Sequence, residues 1–339
     1  MKITVLGSGG WGTALAMLLV EKGNDVTLWS SSPERCGALA RTRENPRLPG
    51  VHLPSELKCS ADLGSVADSG VVVMAVPSIR VRETARMAAP LLREDAAVVS
   101  VAKGIEKDTA LCLTQVIEQE LGGKGRVAAL SGPSHAEEVA LGIPTGCVAA
   151  SRDIRTAELV QDLFMSHKFR VYTNSDVLGV ELGGALKNVL ALCCGVSDGM
   201  GLGDNTKALL MTRGMTEMAR LGVALGGKSE TFAGLSGMGD LIVTCTSMHS
   251  RNRRCGILIG QGKSVQEAMK EVGAVVEGYY AALSAHQLAE RAGVEMPICQ
   301  NAYRVLYEDQ PVRDVVRGLM NREKKREVDE SWISCKLRK

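Results

Sequence analysis

Short, unbroken apolar runs alternate with helix-length stretches through the first half of the chain, and helical periodicity alone runs through the second. The apolar runs fall at 2–6, 25–29, 70–76, 97–101, 127–130, 145–150 and 169–173. The first five lack the in-out alternation of a half-buried strand, which predicts parallel strands covered on both faces, and the last two read as further strands. Helix formers fill 13–22, 80–92, 109–121 and 156–165 between them. The alternation predicts an α/β fold with a Rossmann-type, doubly wound sheet. From about residue 176 the period becomes helical, over 176–197, 206–225, 265–272, 277–292 and 298–307. We therefore expect a dinucleotide-binding domain over 1–178 and an all-helical substrate and dimerisation domain over 179–339, with the chain crossing between them near 174–182. Residues 321–339 are dense in both charge signs and read as a frayed, solvated tail.

The first apolar run closes on Gly7-Ser8-Gly9-Gly10-Trp11-Gly12, and the first helical run follows at once. Strand, G-x-G-x-x-G turn and helix stand in the order of a dinucleotide-binding βαβ unit. Gly7 permits the tight turn, Gly9 lets a pyrophosphate approach the backbone, and Gly12 lets the helix pack on the sheet. The helix N-terminus then presents N–H groups to the phosphates. An NAD-selective site usually carries an acid about 20 residues beyond the turn, to bond the ribose 2′-hydroxyl. Here Ser30-Ser31-Ser32 ends the second strand, which permits NADP as well as NAD.

Composition narrows the class. At 339 residues, 45% of them hydrophobic, the chain suits two globular domains, and a net charge of +2 calls for neither nucleic acid nor an anionic membrane as partner. A strand starting at residue 2 leaves no room for a signal peptide, so a cytoplasmic location is expected. The apolar stretch 177–196 contains Glu181, Lys187 and several glycines, and reads as a buried helix rather than a membrane span. Ten cysteines without a framework spacing read as reduced thiols, and no Cys/His spacing suggests a metal.

In an open parallel sheet, ligands gather beyond the carboxyl ends of the strands. Lys103 stands there after the 97–101 run, and Gly132, Ser134 and Ala136 stand after the 127–130 run. Lys187 is a lone cation in the small, apolar helix 181–192, with Asn188 beside it. Such a lysine is paired, snorkelled or functional, and burial lowers its pKa toward proton exchange with a substrate oxygen. Asp240, flanked by glycines, is suited to hold a lysine or a hydroxyl. Ser250-Arg251-Asn252-Arg253-Arg254 either clamps a phosphate with its three arginines or forms a solvated helix face.

Seven segments in this order resemble the bacterial-type NAD(P)-dependent glycerol-3-phosphate dehydrogenases: 7–16 (GSGGWGTALA), 101–106 (VAKGIE), 131–139 (SGPSHAEEV), 181–192 (ELGGALKNVLAL), 235–241 (LSGMGDL), 250–253 (SRNR) and 275–278 (VVEG). The resemblance implies reduction of dihydroxyacetone phosphate to sn-glycerol 3-phosphate, a phospholipid precursor, in a cytoplasmic homodimer. It implies Lys187 as proton donor, with Lys103, Gly132, Ser134, Asp240, Ser250, Arg251 and Asn252 also on the substrate. Gly10, Trp11, Ser31, Lys103, Ala136, Arg251, Val275 and Glu277 are implied on the cofactor, with the glycine turn beneath it. Gly10 stands where many relatives have serine, and Ser31 where they often have a basic side chain. A β-hydroxyacid or 6-phosphogluconate type dehydrogenase is the alternative enzyme, and a noncatalytic NADP sensor the alternative outside enzymes.

Overall fold

The computed structural model describes residues 1–327 as two compact units, one of 1–106 with 111–177 and the other of 107–110 with 178 onward. The first unit is an eight-stranded sheet. Its strands are β1 (Lys2–Leu6), β2 (Asp25–Trp29), β3 (Lys58–Ser60), β4 (Val71–Met74), β5 (Ala97–Ser100), β6 (Arg126–Ser131), β7 (Thr145–Ala150) and β8 (Phe169–Asn174). They lie in the order β3-β2-β1-β4-β5-β6-β7-β8. All neighbours pair in parallel except β6 and β7, which match Leu130 to Ala149 in antiparallel register. That reversal departs from a purely parallel sheet. The 132–144 connection spends its length on a turn and the short Ala136–Ala140 helix, so the chain re-enters the sheet from the end at which β6 left it.

Both faces of the central strands are covered, so every residue of β4 and β5 is buried, whereas the outer strand β8 alternates, with Arg170 and Tyr172 exposed. Val71 and Val73 pack with Leu15, Leu19 and Phe164 on one side, and Val72 and Met74 with Val81, Val116 and Ile117 on the other. Several elements of this unit escaped the sequence reading, the short Ala136–Ala140 helix among them. The edge strand β3 has three partly exposed residues and almost no apolar signal. The Pro33–Thr42 helix is polar, with Pro33 in its first turn and Ser32 as its cap. Conversely, the helix expected over 109–121 starts only at Leu113, because Asp108 and Ala110 take left-handed φ of 70° and 58°.

The second unit is helical. Its spine is Val177–Gly199, long and apolar enough by composition to cross a membrane, with 83% of its apolar window buried inside the protein. The Arg251–Gly260 helix crosses that spine almost backbone to backbone. A Cβ on Gly195 would stand 2.1 Å from the Arg253 carbonyl, and one on Gly256 2.1 Å from that of Leu192. The expected tail is solvated over its described part, with 321–327 all exposed, yet it is tied down: Arg322 and Lys325 both pair with Glu295, and Arg213 donates to the Glu327 carbonyl. An amphipathic helix, Val312–Met320, precedes them. The remainder of the expected tail, 328–339, lies outside the described residues.

Candidate active site

In the first unit the glycine turn joins β1 to the Gly10–Glu21 helix. Gly7 has φ +123°, and a Cβ there would lie 2.6 Å from the Ala75 carbonyl oxygen. A Cβ on Gly12 would lie 2.1 Å from the Gly7 oxygen, so both positions exclude a side chain for packing reasons. Gly9 differs: among the described residues a Cβ there meets nothing within 4 Å, and Gly9 caps the helix with no side-chain cap bond. Beside it the buried Ser8 Oγ and Trp11 Nε1 find no partner among the described residues. Open space, orphan donors and a helix N-terminus together fit the pyrophosphate of a dinucleotide. Ala136 borders this turn, 3.6 Å from where a Gly10 Cβ would be.

The three serines after β2 separate in the structure. Ser30 is buried, Ser32 accepts from the Arg35 N–H as helix cap, and Ser31 is exposed. Ser31 therefore remains the one of the three with its side chain turned to solvent. Glu34 occupies the first turn of the helix that Ser32 caps.

Lys103 follows β5 and donates to the Gly132 carbonyl at 2.8 Å and to Ser134 Oγ at 3.4 Å. Ser134 itself donates to the same carbonyl at 2.9 Å. Gly132 has φ +144°, and its missing Cβ would strike Cys147 Cα at 2.9 Å. The segment is anchored by Glu106, which takes two hydrogen bonds from Arg82 at 2.7 and 2.6 Å. Arg82 also bonds Glu120, whose carboxyl is held down to about 2 by its hydrogen bonds from Arg86 and Arg82. The acid in the 101–106 motif thus fixes the loop that carries Lys103.

In the second unit Lys187 is 5% exposed. Its ammonium donates to Asp240, which is fully buried, and to Thr244 Oγ1 at 2.7 Å. Thr244 in turn donates to the Asp240 carbonyl at 2.6 Å. A buried ammonium requires a counter-charge and further hydrogen bonds, and this arrangement provides both. The sequence reading missed Thr244. Its signal was position: i+4 from Asp240 on the Asp240–Thr246 helix, hence the same face.

Asn188 and Asn252 form a second polar group. Asn252 Nδ2 donates to Asn188 Oδ1 at 2.9 Å, and Asn252 Oδ1 accepts from the Gly278 N–H at 2.9 Å. This brings the 275–278 segment, with Val275 and Glu277, against the helix carrying Lys187. Ser250 caps the Arg251–Gly260 helix by accepting from the Arg253 N–H at 3.2 Å. Arg251 is exposed in its first turn. Arg253 corrects the triple clamp: its guanidinium bonds Asp198 at 2.7 and 2.8 Å and the Thr246 carbonyl at 2.9 Å. It ties its own helix to Val177–Gly199 and to the end of Asp240–Thr246 instead.

Comparison with known proteins covers nearly the whole chain. Residues 2–157 match the family described as NAD-dependent glycerol-3-phosphate dehydrogenase N-terminus, and 176–317 match its C-terminus. A glycerol-3-phosphate dehydrogenase [NAD(P)+] of Moorella thermoacetica is 56% identical over 329 residues, spanning 96% of this chain and 98% of that protein. One from Fusobacterium nucleatum is 49% identical, over 98% of this chain and all of the relative. The crystal structure of glycerol-3-phosphate dehydrogenase from Coxiella burnetii has a TM-score of 0.91 at 39% identity, covering 94% of this chain and 98% of the other.

Proposed function

Since the chain belongs to the NAD-dependent glycerol-3-phosphate dehydrogenase family, we propose that it interconverts dihydroxyacetone phosphate and sn-glycerol 3-phosphate with NADH or NADPH, supplying glycerol phosphate for phospholipid synthesis. The observation that carries the reading is the buried Lys187 ammonium, held by Asp240 and Thr244 in a mostly apolar and small-residue helix.

Bound at the glycine turn, the nicotinamide cofactor supplies or accepts the hydride. In reduction, Lys187 gives a proton to the carbonyl oxygen, and in oxidation it takes the proton from the hydroxyl. Asp240 and Thr244 fix the ammonium in direction and supply its counter-charge. Lys103, set by Gly132 and Ser134, adds a positive charge that stabilises the developing alkoxide. Ser250, Arg251 and Asn252 are assigned to the substrate, with Arg251 on its phosphate. The absent acid at Ser30–Ser32 and the relatives' printed use of NAD(P)+ support both cofactors.

The same reading includes a cytoplasmic homodimer. Nine described cysteines, all free, support a reducing compartment, and sedimentation would check the dimer. The reaction itself is tested by supplying purified protein with dihydroxyacetone phosphate and either reduced cofactor. Cofactor oxidation with formation of sn-glycerol 3-phosphate is the expected outcome. Inert dihydroxyacetone phosphate alongside turnover of a hydroxyacid would replace this reading with the hydroxyacid dehydrogenase one.

A further inference from the structure

Asn45 lies far from the glycine turn in sequence and beneath it in space. It is 3% exposed, in a segment that carries neither strand nor helix. Its Nδ2 donates to Thr13 Oγ1 at 2.7 Å and to the Ser8 carbonyl at 3.3 Å. Ser8 belongs to the turn itself and Thr13 to the first turn of the following helix, so one amide spans both sides of the loop.

The amide is itself held rigidly. Asn45 Oδ1 accepts from the Arg47 N–H at 3.0 Å, and the Asn45 carbonyl accepts from the Leu48 N–H at 2.8 Å. Leu48 and Val51 are buried against Ala14 of the same helix, with Trp11 packed on them. At the start of the segment the Arg43 guanidinium donates to the Leu57 carbonyl at 2.7 Å and the Ser55 carbonyl at 3.0 Å. The segment is thus bolted down at both ends, and its Asn45 amide points at the turn.

We propose that Asn45 is a positioning residue for dinucleotide binding: by bonding Ser8 and Thr13 together it sets the loop whose backbone and orphan Ser8 and Trp11 donors meet the pyrophosphate. The Ser8 hydroxyl finds no partner among the described residues, and the bond from Asn45 to the Ser8 carbonyl is a side-chain contact that orients this residue's main chain. An asparagine is required because both contacts are received from its NH2 group. An isosteric carboxylate offers no donor and sets a negative charge beside the phosphate-facing loop. The proposal rests on the dinucleotide reading of the turn, and its test reads cofactor binding directly, apart from turnover.

The experiment titrates NADPH and NADH onto wild type, Asn45→Ala, Asn45→Asp, Thr13→Val and the Asn45→Ala/Thr13→Val double variant by nicotinamide fluorescence, with melting of the free proteins alongside. Asn45→Ala, which removes both NH2 contacts, is expected to raise both dissociation constants about tenfold. Asn45→Asp should raise them further. The double variant should bind less weakly than the product of the two single effects requires, because both substitutions break the same contact. In steady state, cofactor KM should rise with the dissociation constant while KM for dihydroxyacetone phosphate holds. Unchanged cofactor binding in Asn45→Ala and Asn45→Asp overturns the proposal. So does a loss that appears equally in kcat and in both KM values and follows the melting temperature, since that pattern is general destabilisation. If wild type binds NADPH but leaves dihydroxyacetone phosphate untouched, the function proposed above fails while the Asn45 comparison still stands.

Discussion

Lys187 and Asp240 form an ion pair with both side chains almost wholly removed from solvent, 6% and 1% exposed. The two come from different helices, and Thr244 bonds to both residues. Removing one partner of such a pair leaves an uncompensated buried charge, which costs far more than a surface pair is worth. Asp240→Asn should therefore lose about 3–5 kcal/mol of stability in urea unfolding. Any surviving folded fraction should turn over more slowly than wild type at saturating substrate. Full stability in this variant would mean that Lys187 finds its counter-charge elsewhere.

The glycine turn separates packing from ligand approach. Gly12→Ala places a methyl against the Gly7 oxygen and should destabilise the fold by about 1–3 kcal/mol. Gly9→Ala meets open space, so its stability should stay within about 0.5 kcal/mol of wild type while cofactor affinity falls. Thermal melts with and without NADPH check both. A Gly9→Ala protein stabilised by NADPH as strongly as wild type would remove Gly9 from the cofactor path.

Arg251 and Arg253 should part company in the same way. Arg253→Ala breaks the bonds to Asp198 and the Thr246 carbonyl and should cost about 1–3 kcal/mol of stability. Arg251→Ala should leave stability near wild type and raise KM for dihydroxyacetone phosphate at least about tenfold. Steady-state kinetics beside denaturant melts distinguishes them, and an unchanged KM in Arg251→Ala would take that residue off the phosphate.

Much of this was written in the chain. Strands buried on both faces favour successive apolar residues, and the 71–74 and 97–99 runs show them. Lys187 stood out because a lone cation in a helix of glycine, alanine and leucine has few bland explanations. What stayed hidden depends on contacts between distant segments. Arg251 and Arg253 look alike in sequence, and only the close crossing at Gly195 and Gly256 decides which of them turns inward to Asp198. Asn45 reads as an ordinary turn asparagine before Pro46, since its partners Ser8 and Thr13 lie in another element. The Pro33–Thr42 helix has little apolar face, so its start was signalled by Ser32, Pro33 and Glu34 rather than by periodicity.

Glu217 gives the fold a pH dependence. Its carboxylate accepts from the Ile298 and Cys299 N–H groups at 2.8 and 3.1 Å, yet burial raises its pKa from 4.5 to about 7. The folded state thus holds a proton that the unfolded chain has released between those values. This contribution is fully present below about pH 4.5 and is lost as pH rises through about 7, with a size of about 3 kcal/mol. Relative to Glu217→Gln, which cannot ionise, wild type should lose stability between pH 5 and 8. Parallel stability curves for the two proteins would contradict the shift.

The central claim, that Lys187 moves the proton in a dihydroxyacetone phosphate reductase, is met most directly by Lys187→Ala. Turnover of dihydroxyacetone phosphate with NADPH and NADH is measured beside cofactor dissociation constants on the same preparation. A fall in kcat of about 10²–10⁴-fold with cofactor affinity close to wild type is expected. Wild-type turnover in Lys187→Ala would contradict it.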